Sequence, residues 1–193
     1  QYTPAGGRRQ TRATARIRRI GRITMGLLDV PFVTRIRRNH ALEHATIHLL
    51  NRRYPERRLL GWSSPQGFYI YGEVPTSAVE NAVGEAVTRL SRGETHLAIH
   101  PRCGTNLVTA STLVGLTTFA TMLPGDKKSR RARLPLVVLA STLVMLLSQP
   151  VGMAVQQYIT TDPRHTRDLE IQIESGMAGQ MPVHKVQVKS QTA

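Results

Sequence analysis

Two short stretches hold nearly all the residues with chemical potential: HALEHATIH at 40–48 and HPRCGT at 100–105. In the first, His40 and His44 are one helical turn apart, about 40° around the axis, which suits two imidazoles binding a single ion. Glu43 falls about 80° from their midpoint, close to His44 in height. The order His-x-x-Glu-His mirrors HExxH, where two histidines hold zinc and the intervening glutamate acts as base on bound water. His48 extends the stripe by a turn, but His40 and His48 lie about 12 Å apart along a straight helix, too far to share one ion. His40 and His44 are therefore the preferred ligands, with His48 an alternate or supporting residue and Glu43 the catalytic base. In the second stretch, His100 and Cys103 are three apart around a tight turn, close enough to reach one ion. Imidazole and thiolate are typical zinc donors, and another divalent metal would accept the same set. Four ligands, His40, His44, His100 and Cys103, would close a structural site; three with water would leave a catalytic one. Cys103 could instead serve as a nucleophile activated by His100.

The elements that must position these residues are legible from periodicity. Residues 33–53 contain no Gly or Pro and place Ile36, Ala41, Leu42, Ala45 and Leu49 at helical spacing. Leu59–Trp62 and Gly67–Val74 read as strands divided by the turn cluster SSPQG. Thr76 or Ser77 then caps a helix running to about Ser91, and His96–His100 reads as a third strand. The expected order is helix, strand, strand, helix, strand, an α+β domain over residues 25–104.

Beyond it lie two uncharged runs, Thr105–Pro124 and Leu134–Thr161, each long enough to cross a hydrocarbon core of about 30 Å as a helix. The expectation is a two-helix transmembrane hairpin over 105–159. Its threonine-rich first run is suited to packing on protein as well as lipid. Residues 160–193 form a C-terminal tail with β-rich patterning and the prospect of a β-hairpin.

The 193-residue chain carries 26 basic against 12 acidic residues, a formal charge of +14. Half of that excess sits in residues 1–24, with seven arginines and no acid. This leader lacks the apolar core of a secretory signal and reads as a disordered basic arm. With no aromatic residue in the arginine-rich stretch 7–24 and no recognisable nucleic-acid fold, nucleic acid is an unlikely partner. A single cysteine excludes an intrachain disulfide scaffold. The loop GDKKSRRAR favours the cytoplasmic side by the positive-inside bias, whereas export of a basic domain without a signal is disfavoured. The arguments oppose each other, and the soluble domain is assigned to the cytoplasm. The expected partner is the lipid bilayer, with a membrane-protein partner or a second copy beside it.

HALEHATIH, then HPRCGTN about fifty residues later, then apolar helices, resembles the uncharacterised bacterial membrane proteins of the YqhQ type, described as predicted metal-dependent enzymes. The likeness rests on His40, Glu43, His44, Thr46, Ile47, His48 and His100–Thr105, and on QYITTDP at 157–163 with LEIQI at 169–173. It covers about residues 33–175. The resemblance implies a metal site at a membrane surface and no established reaction. Residues and resemblance together lead to the expectation of a membrane-bound zinc-dependent hydrolase of the cell membrane. The alternative is a non-enzymatic scaffold or assembly factor with a structural zinc.

Overall fold

A computed structural model describes residues 26, 28–123, 127–164, 166 and 168–190. The arginine-rich leader lies outside the described residues. The architecture is α+β: five helices and one four-stranded antiparallel sheet among the described residues.

Helix α1, Pro31–Arg53, begins with a proline at its first turn, where the missing N–H costs nothing. It is followed by the hairpin β1, Leu60–Ser64, and β2, Gly67–Tyr71, and then by α2, Thr76–Ser91. The cap expected from Thr76 or Ser77 is replaced by Pro75, which makes no side-chain cap bond. The Thr76 hydroxyl instead lies 3.3 Å from Nε2 of His184.

The expected third strand is not a strand. Thr95–Ala98 forms a 3₁₀ turn laid against α1, with Leu97 and Ala98 buried. The physical reason is a competition for hydrogen bonds: the carbonyls of Ala98 and Ile99 are taken by the imidazoles of His44 and His48 rather than by a neighbouring strand. The place beside β2 is filled from the other end of the chain. Strands β3, Leu169–Ala178, and β4, Met181–Ser190, form a long hairpin, and β4 pairs with β2 to give the order β1-β2-β4-β3.

Alternation along β2 and β4 turns Phe68, Ile70, Val186 and Val188 toward the two helices. There they meet Leu42, Ala45, Leu49 and Leu50 of α1 and Val79, Ala82, Val83 and Leu90 of α2. Burial of Phe68 or Leu42 contributes about 1.5–3 kcal/mol each, and the alanines between them let helix and sheet approach closely. The opposite face mixes ion pairs such as Lys185–Glu174, at 3.2 Å, with the exposed Leu60 and Trp62 and the stacked Tyr69 and Tyr71.

Helices α3, Gly104–Met122, and α5, Leu134–Val155, pack against each other, joined through the short basic helix α4, Lys127–Ala132. Thr118 contacts Ser141 near one end and Asn106 contacts Gly152 near the other, so the two run antiparallel. The two spanning helices expected from the sequence are corrected to one. Among the described residues, only the stretch Leu134–Thr160, α5 with the turn that follows, is long and apolar enough to cross a membrane. Helix α3 falls short because of its six threonines, although Thr109, Thr117 and Thr121 return their hydroxyls to the carbonyl one turn back, each at 2.8 Å.

Candidate metal centre

Helix α1 carries the histidine stripe into the angle between the sheet domain and the helical hairpin. His40 and His44 stack edge to face with ring centroids 4.3 Å apart. The turn after the 3₁₀ segment brings in Cys103, the N-cap of α3, whose sulfur also accepts the Thr105 N–H at 3.4 Å. One donor atom each from His40, His44 and Cys103 lies within 4.8 Å of the others.

The tautomers follow from the outer partners. His40 Nδ1 is 3.0 Å from the Thr160 carbonyl and His44 Nδ1 is 2.7 Å from that of Ala98. A carbonyl only accepts, so both Nδ1 atoms carry the proton and both Nε2 atoms present lone pairs. Orientation of a ligating imidazole by a backbone carbonyl is the usual outer arrangement of a metal site. The Cys103 thiol donates to His40 Nε2 across 3.3 Å.

Electrostatics favour a neutral imidazole at His44. Burial, followed by the charge of His40, lowers the His44 pKa to about 3. Burial also raises the Cys103 thiol above its ordinary range, so without a cation it stays protonated. Glu43 is 6% exposed, and burial raises its carboxyl, partly offset by the Ser63 hydroxyl, which donates to Oε2 at 2.5 Å, and by His40. The two Glu43 oxygens are directed at β1, Oε2 to the Ser63 hydroxyl and Oε1 against Gly61, and the carboxylate is not among the donor atoms that converge within 4.8 Å.

Not every residue singled out from the sequence joins this cluster. His48 directs Nε2 to the Ile99 carbonyl at 2.8 Å. Its ring packs edge-on against His100, with centroids 4.7 Å apart. His100 lies 5.7 Å from His44 ring to ring, and its Nδ1 accepts the Arg102 N–H at 3.3 Å. Burial and then His48 lower the His100 pKa to about 4. The polar contact of the Cys103 sulfur within the histidine group is with His40 Nε2, not with His100, the partner in the alternative nucleophile pair.

Several supporting residues escaped sequence reasoning. Gly61 on β1 is one: a Cβ there would come within 2.0 Å of Glu43 Oε1, so the carboxylate occupies the space a side chain would need. The only signal was a glycine inside an otherwise bulky strand. Ser63, two residues on, shares that strand face. At the far end of the chain, Arg37 of α1 reaches Asp162 at 3.6 Å and donates to the carbonyls of Tyr158 and Thr161. That clamp holds the Thr160 carbonyl over His40, and its sequence trace is the QYITTDP segment.

An α+β protein with a half-buried His₂Cys cluster between its sheet domain and an apolar helical hairpin is the class that fold and site define. The chain belongs to the family described as a domain of unknown function (DUF6391), which matches residues 35–173 and so spans every residue of this site. It is 37% identical over 180 residues to an uncharacterized protein of Picosynechococcus sp. strain PCC 7002, covering 87% of this chain and 84% of that relative. No solved structure matches it.

Proposed function

We propose that the protein is a metal-dependent hydrolase, with zinc as the resident ion, held at the cell membrane by its helical hairpin. The observation that carries this reading is the convergence of His40, His44 and Cys103 donor atoms within 4.8 Å of one another, with the buried Glu43 one residue before His44 on the same helix. Two imidazole nitrogens and one sulfur form a donor set suited to zinc, and three protein ligands leave one position for water or substrate.

A bound zinc would supply Lewis acidity and lower the pKa of a coordinated water toward about 7. Glu43 would take the proton at its carboxylate. Its raised pKa makes it a better acceptor near neutrality; Ser63 holds Oε2 and Oε1 lies against Gly61. His40 and His44 are oriented by the carbonyls of Thr160 and Ala98, which leaves their Nε2 lone pairs for the ion.

Support for the membrane comes from the apolar surface of the hairpin, where Leu139, Leu146 and Leu147 of α5 and Leu107, Val108 and Phe119 of α3 are exposed. The motif likeness to the YqhQ-type proteins supports the same setting. The soluble domain is assigned to the cytoplasmic side.

The competing reading is a structural zinc in a membrane-anchored scaffold or assembly factor, favoured by the nearness of His100 as a fourth donor. Metal content of detergent-purified protein separates the two. About one zinc per chain, retained in Glu43→Gln and lost in His44→Ala while the domain stays folded, is expected for the hydrolase. Retention of metal and fold in Cys103→Ala with His100 as replacement ligand would favour neither role for the cysteine and overturn the three-donor site.

A further inference from the structure

Gln156 lies at the end of a long uncharged run, directly after α5, yet it is fully buried. An amide in such a place costs about 1–3 kcal/mol for each group left unpaired, and here none is. Its Oε1 accepts the His100 N–H at 2.9 Å; its Nε2 donates to Asn106 Oδ1 at 2.7 Å and to the His100 carbonyl at 3.1 Å. Asn106, on the first turn of α3, donates from Nδ2 to the Pro101 carbonyl at 2.8 Å. The His100 carbonyl also accepts the Cys103 N–H at 3.2 Å. The four-residue turn that delivers Cys103 is therefore pinned from both helices of the hairpin at once.

Two neighbours make the arrangement tight. A Cβ at Gly152, one turn before Gln156, would lie 2.5 Å from Asn106 Oδ1, so only glycine admits the asparagine there. The main chain of Gln156 is used too: its carbonyl accepts both the N–H and the hydroxyl of Thr161, next to the Thr160 carbonyl that orients His40.

We infer that Gln156 is a positioning residue for the metal centre: with Asn106 it sets where the Cys103 sulfur sits and couples that position to the packing of α3 on α5. The inference rests on the metal reading for its ligand and on the hydrogen-bond geometry alone for its mechanics, and the two are tested apart. Because Cys103 is the sole cysteine, its alkylation reports the turn directly in metal-free protein.

The experiment uses the full chain in detergent micelles, as wild type, Gln156→Met, Gly152→Ala and, as a control at the distant end of the hairpin, Thr118→Ala. Gln156→Met keeps the side-chain length and removes every side-chain hydrogen bond; Gly152→Ala displaces Asn106 without replacing the glutamine. Maleimide alkylation of metal-free protein is expected to speed up several-fold in both test variants and to stay at the wild-type rate in Thr118→Ala, with far-UV circular dichroism unchanged. In a cobalt titration the thiolate-to-metal absorption should weaken and affinity fall by about 10- to 100-fold, as for loss of other outer partners of metal ligands. Wild-type alkylation rates in both test variants would overturn the inference. Absence of cobalt binding by wild type would overturn the metal reading instead, with the alkylation comparison still deciding the role of Gln156. Should Gln156→Met fail to fold, Gly152→Ala decides by the same two readouts.

Discussion

His40 Nε2 and Cys103 Sγ lie 3.3 Å apart although 63 residues separate them in the chain, one on the third turn of α1 and the other at the N-cap of α3. That contact selects which residues of a four-histidine neighbourhood form a donor cluster. It turns one end of the stripe toward the hairpin and leaves His48 and His100 packed on each other.

The ligand set makes a direct prediction. His40→Ala, His44→Ala and Cys103→Ala should each lose zinc measured by atomic emission on purified protein, whereas His48→Ala should keep it. The His48 variant frees the Ile99 carbonyl and loses the ring contact with His100, at a stability cost of about 0.5–1.5 kcal/mol for the hydrogen bond. Loss of zinc in His48→Ala equal to that in His44→Ala would reverse the assignment.

Gly61 should tolerate no side chain. In Gly61→Ala the new methyl would meet Glu43 Oε1 at 2.0 Å and Ile47 Cδ1 at 2.6 Å. A destabilisation of about 1–3 kcal/mol is expected from such overpacking, read as a lower midpoint in chemical unfolding. A midpoint equal to wild type would show that the edge strand β1 simply moves aside.

Acid should weaken the metal-free protein. Above about pH 6.5 His44 is neutral in both folded and unfolded chains and its titration contributes nothing. Below that the unfolded chain takes up the proton first, because burial lowers the folded pKa to about 3, so stability falls with pH until that value is reached. His100, lowered to about 4, and the buried His184 act in the same direction. Glu43 opposes them: with its pKa raised by burial, the folded chain gains the proton before the unfolded one as pH drops, which adds stability. Thermal unfolding of chelated protein between about pH 7 and about pH 4 should therefore show a falling midpoint, and Glu43→Gln should fall more steeply. A flat profile in both proteins would contradict the buried neutral imidazoles.

The hairpin prediction concerns Leu146, which is 71% exposed on α5. Placing a charge there in Leu146→Arg should cost about 2.5–3.5 kcal/mol of membrane insertion. The expected result is loss of the protein from the carbonate-resistant membrane fraction. An unchanged distribution would mean that α5 covers another protein surface rather than lipid.

Local pattern determined a good deal by itself. The periodic run around residues 33–53 is helix α1, the SSPQG cluster does divide β1 from β2, and α2 spans Thr76–Ser91, because helical and strand periods are short-range and turn chemistry acts within a few residues. The one-turn spacing of His40 and His44 likewise followed from helix geometry alone. Long-range competition decided the rest. The segment His96–His100 has strand-like residues, but it could be read as a 3₁₀ turn only once His44 and His48 were seen to take its carbonyls. The neighbour of β2 is β4, more than a hundred residues away, a pairing set by which apolar face completes the core over Phe68 and Ile70. Helix α3 is free of charge but falls short of apolar, because threonines fill it. At the site, which of four histidines would face Cys103, the carbonyls that fix their tautomers, and the buried amide of Gln156 that holds the turn in place all depend on contacts between segments far apart in the chain. Such contacts leave no periodic trace in sequence, so only the tertiary structure could decide them.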